Sequence, residues 1–167
     1  MTGAVPDGLA STDTASALAH LRERGWTLGI AESLTGGMLA AELISVPGAS
    51  ATVLGGVVAY ATPLKQTLLR VDAALLADRG PVDPDVACQM ADGARLAVAV
   101  DGRPADVGIS TTGIAGPESP DGQPVGTVYI GVSTPRGTTA LALRLEGDRQ
   151  AIRAETVRRA VAALLTV

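Results

Sequence analysis

Residues 26–37 read WTLGIAESLTGG. A short apolar run ends in Ser and Thr, closes on two glycines, and is followed at once by MLAAELI (38–44). The largely apolar run over 26–31 predicts a short strand, and residues 37–45 predict a helix, stopped by Pro47-Gly48. A strand that turns sharply into a helix is the repeating piece of a parallel α/β sheet. Within that turn Ser33 has three possible uses: capping the helix, holding an anion against free helix amides, or attacking a carbonyl. The third needs a base, and the chain holds a single histidine, His20, in the predicted first helix.

Working outward, residues 12–24 predict a helix with Ala15, Leu18 and Leu21 on one side and Gly25 as its stop. The first 11 residues read as a loose tail, leaving 12–167 as one domain. Residues 53–61 are apolar throughout and predict a strand covered on both faces, followed by a short helix over 63–70 that starts with Pro63. Asp83-Pro84 is a helix cap and first residue, with Val86, Met90, Ala94 and Ala97 facing inward and an end near Val100-Asp101-Gly102. Strands are predicted over 105–111, 125–133 and 138–145, the last two joined by Pro135-Arg136-Gly137, and a closing helix over 148–165 carries Val157, Val161, Leu164 and Leu165. The order αβαβααβββα predicts a three-layer α/β/α sandwich around a mixed, mostly parallel five-stranded sheet containing one antiparallel strand.

Composition narrows the function classes. Three aromatic residues (Trp26, Tyr60, Tyr129) and a net charge of −4 leave neither the stacking platforms nor the basic stripe that nucleic acid requires. One cysteine, Cys88, supports no internal disulfide and fits a reducing compartment; with one histidine, no His/Cys metal set is expected. Cys88 itself, inside an Ala-rich helix, reads as a small core residue. Residues 43–64 carry no charge, but Pro47, Gly48, Gly55 and Gly56 interrupt them, so no membrane span is expected and the cytoplasm is the expected location. A small-molecule ligand is the remaining partner class, and the size and apolar balance make a homodimer the expected assembly.

Three segments carry residues fit for chemistry, each after a predicted strand. The first is Glu32-Ser33-Leu34-Thr35-Gly36-Gly37. The second is Tyr60-Ala61-Thr62-Pro63-Leu64-Lys65, in which the lysine can fold back over the sheet edge or stand in solvent. The third is Thr111-Thr112-Gly113-Ile114-Ala115-Gly116, opening a Gly/Pro-rich loop whose amides and hydroxyls can hold a phosphate or carboxylate, or simply turn the chain. Glu118 and Asp121, within that loop, read as solvated. If the three strands are parallel, these segments meet along one rim of the sheet, where open α/β folds bind ligands.

The chain resembles the CinA carboxy-terminal domain family of nicotinamide-nucleotide amidases. The resemblance runs over residues 12–165 and rests on AESLTGG (31–37), VPGAS (46–50), GGVVAYATPLK (55–65), GPVDPDVACQMADGAR (80–95), TTGIAGP (111–117), QPVGTVYIGV (123–132) and LEGDRQAIR (145–153). Leu34 stands where the family commonly has cysteine. The resemblance implies hydrolysis of the carboxamide of nicotinamide mononucleotide to nicotinate mononucleotide and ammonia, without metal or organic cofactor. It assigns Ser33 as nucleophile, Lys65 as its base and Tyr60 as a residue that passes or positions the proton, with amides of the helix after Ser33 holding the oxyanion. Glu32, Thr35, Gly36, Thr111, Thr112, Gly113, Gly116 and Arg149 are the expected substrate-binding residues, Arg149 for the phosphate. The mechanism demands a lysine well below its usual pKa of about 10.4, hence one buried against the uncharged 53–64 stretch. A catalytically silent phosphate-binding or regulatory module, linked to competence or DNA damage, is the alternative.

Overall fold

The computed structural model describes residues 12–120 and 122–167, so the expected tail and Asp121 lie outside the described residues. Five strands form one sheet: β1 (Leu28–Glu32), β2 (Val53–Val58), β3 (Val107–Gly113), β4 (Thr127–Thr134) and β5 (Gly137–Arg144), in the spatial order β2-β1-β3-β4-β5. β1 pairs parallel with both β2 and β3, whereas β4 is antiparallel to β3 and to β5. One strand therefore runs against the other four, and the C-terminal ends of β1, β2 and β3 open on the same rim.

Helices α1 (Thr12–Glu23), α2 (Met38–Ile44) and α6 (Arg149–Leu164) cover one face, and α3 (Thr62–Leu69) and α5 (Pro84–Ala97) the other. The strands are buried by alternation. Leu28 and Ile30 of β1, Val107 and Ile109 of β3, and Val128, Ile130 and Val132 of β4 join the large cluster beneath α1, α2 and α6. The intervening positions, Gly29, Gly108, Ser110 and Gly131, are small and lie beneath α5. A Cβ placed on Gly108 would sit 1.9 Å from the Ala91 carbonyl oxygen, and one on Gly131 2.1 Å from that of Ala87. The helix backbone thus rests directly on the sheet, and only glycine fits. A Gly108→Ala variant must push α5 off β3, with an expected loss of about 2–3 kcal/mol. In a thermal melt this is a fall of roughly 5–10 °C; an unchanged melting temperature would refute the close approach.

Caps define the helix starts. The Asp83 side chain accepts from the amides of Asp85 and Val86 with Pro84 next in line, and Asp148 accepts from the Ala151 amide to begin α6. Several expectations need correction. The strand near 53–61 stops at Val58 and lies at the sheet edge, half-buried, with Val58 45% exposed. Ala15 and Ala97 face solvent; the inward faces are Thr14, Ala17, Leu18 and Leu21 in α1, and Val86, Ala87, Met90, Ala91 and Ala94 in α5. A helix, α4 (Ala73–Arg79), occupies a stretch where none was expected. β3 runs from Val107 through Gly113, so Thr112 and Gly113, beyond the expected strand end at Thr111, are strand residues and not part of a loop. Among the described residues no helix is long and apolar enough to cross a membrane.

Candidate active site

The rim formed by β1, β2 and β3 holds a cleft of about 370 Å³, in the size range of small-molecule sites, ~300–1,000 Å³. Ser33, Tyr60, Lys65, Thr112, Gly113, Gly116 and Arg149 all line it. The three sequence segments meet here because their strands are parallel and their following turns point the same way. A larger groove of about 740 Å³ lies between the β4–β5 hairpin and the end of α6; neither Ser33 nor Lys65 lines it.

At the centre of the cleft Lys65 Nζ lies 3.0 Å from Ser33 Oγ and donates to the Ala59 carbonyl at 2.8 Å. Lys65 is 1% exposed, the largest fully buried side chain of the described residues, and Ser33 is 8% exposed. No carboxylate of the described residues lies within ion-pair distance of Lys65. Burial without a counter-charge penalises the ammonium form and lowers the Lys65 pKa from 10.5 to about 8. The placement of Lys65 follows from α3: Pro63 sits in its first turn, and one face turns Lys65 and Leu69 inward while Leu64 and Leu68 are left exposed.

The turn that carries Ser33 is fastened from several sides. The Ser33 amide donates to the Thr111 carbonyl of β3 at 3.0 Å, and Thr35 Oγ1 shares a 2.7 Å hydrogen bond with Thr111 Oγ1. Glu32, 1% exposed, takes the amides of Gly37, Leu39 and Ala40 at 3.0, 3.0 and 2.8 Å. A buried carboxylate thus fills the positive end of α2. The expected oxyanion donors at that helix start are spoken for, because Glu32 arrives first. The amides left without a partner among the described residues are those of Leu34 and Thr35, before the helix.

Four residues expected to bind substrate, Glu32, Thr35, Gly36 and Thr111, do not line the cleft; they brace it from behind. Gly36 takes φ of +58°, and the Arg153 Nη2 atom would lie 3.4 Å from a Cβ placed there. Thr112 lines the cleft, with its hydroxyl donating to the Pro81 carbonyl at 2.7 Å. Tyr60 stands at the mouth, 60% exposed, and its hydroxyl accepts from Arg149 Nη2 at 3.0 Å. Arg149 Nη1 donates to the Gly116 carbonyl at 2.6 Å, so one guanidinium ties the β3 loop to the β2 end. Pro81 and Val82, which line the cleft, have no role in the sequence reading, and Arg153, a basic residue of the LEGDRQAIR stretch, does not line it. Glu118, expected in solvent, is exposed and borders the opening. His20 lies elsewhere, between Arg24 and the Val167 carbonyl.

The family model of the CinA C-terminal domain matches residues 11–167. The chain belongs to the CinA C-terminal domain family. A CinA-like protein of Frankia casuarinae is 46% identical over 140 residues, covering 84% of this chain and 31% of the relative. A putative competence-damage inducible protein of a Geobacillus species is 47% identical over 139 residues, 83% of this chain and 32% of the relative. The chain spans about a third of the length of these curated relatives. Among solved structures, the competence damage-inducible protein A of Klebsiella pneumoniae superposes with a TM-score of 0.85 at 37% identity, covering 92% of this chain and 93% of that one. A CinA superfamily protein of Escherichia coli gives 0.84 at 35% identity, covering 94% and 92%. The shared fold thus extends over more than nine-tenths of this chain and of both solved chains.

Proposed function

We propose that this chain is an amidase that hydrolyses the carboxamide of nicotinamide mononucleotide by a serine–lysine mechanism. The observation that carries the reading is the 3.0 Å contact between Ser33 Oγ and a buried Lys65 amine whose pKa lies at about 8. Neutral Lys65 takes the Ser33 proton as Oγ attacks the carboxamide carbon, and the free amides of Leu34 and Thr35 receive the developing oxyanion. The tetrahedral intermediate collapses as protonated Lys65 returns the proton to the departing nitrogen, releasing ammonia and leaving an acyl ester on Ser33. A water, deprotonated by the same amine, then cleaves the ester and restores Ser33, giving nicotinate mononucleotide. Because Lys65 touches Oγ directly, the first transfer needs no relay. Tyr60 is assigned a place at the mouth with Arg149, against the substrate. The Arg149 guanidinium and the amides of Ala115 and Gly116, which have no partner among the described residues, supply donors for the phosphate.

The pH dependence of kcat/KM tests the reading. Only neutral Lys65 acts as base, so the rate is expected to climb about tenfold per pH unit below pH 8 and to level off above it. At pH 7 it stands at roughly a tenth of the plateau. Ammonia release from nicotinamide mononucleotide that is absent, or present but flat between pH 6 and 9, would sink the proposal.

A further inference from the structure

Arg153 lies one helical turn beyond Arg149 on α6, yet it does not border the cleft. Its Nε donates to the Leu34 carbonyl at 2.9 Å and its Nη2 to the Thr35 carbonyl at 3.1 Å. No carboxylate of the described residues lies within ion-pair distance of it. A partly buried cation is therefore satisfied by two peptide oxygens of the turn that carries the nucleophile.

The connectivity of those two peptides is informative. The Leu34 carbonyl belongs to the same peptide group as the Thr35 N–H. The Thr35 carbonyl belongs to the peptide of the Gly36 N–H, which donates to the Ser33 carbonyl at 3.1 Å. That carbonyl in turn shares its peptide with the Leu34 N–H. Both amides left free beside Ser33 are thus the far ends of hydrogen-bonded chains headed by the Arg153 guanidinium. A cation on a peptide oxygen draws electron density toward it and makes the N–H of the same peptide a stronger donor; each link in such a chain strengthens the next by about 10–30%.

We propose that Arg153 is a positioning residue that polarises the Leu34 and Thr35 amides through the peptide groups of the turn and so sets the strength of the oxyanion site. The inference rests on the reading of Ser33 as the acyl-forming nucleophile. Lysine at 153 keeps the charge but offers no planar fork to two carbonyls, so it is a partial substitute.

The test compares wild type, Ser33→Ala, Arg153→Ala and Arg153→Lys in two assays. One is steady-state hydrolysis of nicotinamide mononucleotide; the other is covalent labelling by a fluorophosphonate, which needs both nucleophile and oxyanion donors but no amide substrate. Arg153→Ala is expected to lower kcat and the labelling rate by about 10- to 100-fold. KM should stay within about threefold, and the pH profile should still level off near pH 8. Added guanidinium ion is expected to restore part of the labelling rate in Arg153→Ala, and Arg153→Lys to fall between the two, behaviour that a misfolded turn would not show. If Arg153→Ala and Arg153→Lys label within twofold of wild type while Ser33→Ala does not label, the Arg153 proposal is overturned and the hydrolase reading stands. If wild type and Ser33→Ala label alike, the hydrolase reading itself fails and takes this inference with it.

Discussion

A Lys65→Met variant is expected to lose amide hydrolysis by at least about a thousandfold and yet to melt a few degrees above wild type at pH 7. The activity loss follows from removing the amine that, among the described residues, is the base in contact with Ser33 Oγ. The stability gain follows from burial. With the folded pKa lowered from 10.5 to about 8, holding the ammonium inside costs about 3 kcal/mol. Methionine has nearly the same length and carries no charge. Losing the donor to the buried Ala59 carbonyl takes back roughly 1–2 kcal/mol, so the net gain at pH 7 is about 1–2 kcal/mol. The sign with pH is the sharper readout. Between about pH 8 and 10.5 the unfolded chain holds a proton on Lys65 that the folded one has released, so wild-type stability rises with pH through that window. The variant has no such group, so its advantage should be full below pH 8, shrink through the window, and reverse by about 1–2 kcal/mol above pH 10.5. Chemical denaturation of both proteins at pH 7, 8.5 and 10 measures this. A gap that does not close, or wild-type turnover in the variant, would contradict a buried lysine base.

Much of the fold was readable because it is written in local signals. The 26–37 stretch, the Asp83-Pro84 start and the Pro135-Arg136-Gly137 turn each announce an element by residue type alone, and all three lie where elements begin or end. Helix α4 escaped because AALLADR buries none of its residues and is marked only by its Asp72 cap, which accepts from the Leu75 amide. The run at 53–61 misled because a continuous apolar strand looks the same whether it is central or at an edge, and which neighbour it lacks is a property of the whole sheet. Thr112 and Gly113 read as loop because small residues resemble turns, whereas here they pair with Tyr129 and Val128 of β4.

The site divides along the same line. Convergence of the three segments follows from parallel strands; the pairing of Ser33 with Lys65 comes from the family resemblance, and chemistry adds that such a lysine base must be buried. The roles of Glu32 and Arg153 become visible only in the structure. Glu32 is next to Ser33 in sequence, which leaves orienting its neighbours and binding substrate both open; its carboxylate ends on the amides of Gly37, Leu39 and Ala40. Arg153 reaches its two carbonyls across 119 and 118 positions of sequence separation, which no motif encodes.

Ser33→Ala should cause the larger loss, about 10⁴-fold or more in kcat, with KM changed by less than about threefold. The hydroxyl is small and lies against Lys65, so its removal leaves the proposed phosphate donors, Arg149 and the amides of Ala115 and Gly116, in place. Folding should change by about 1 kcal/mol, since the amine keeps its bond to Ala59 and loses only the Oγ contact. The mechanism also forecasts an intermediate: wild type mixed with substrate and quenched in acid should carry the mass of the acyl group on the peptide containing Ser33, and Ser33→Ala should carry none. A further comparison guards against the variant being merely damaged. If hydroxyl and amine act as one unit, Ser33→Ala/Lys65→Met should be no slower than the worse single variant, because the second change removes a partner with nothing left to do. Losses that multiply would mean that the two side chains act in separate steps, and the direct proton transfer across 3.0 Å would have to be abandoned.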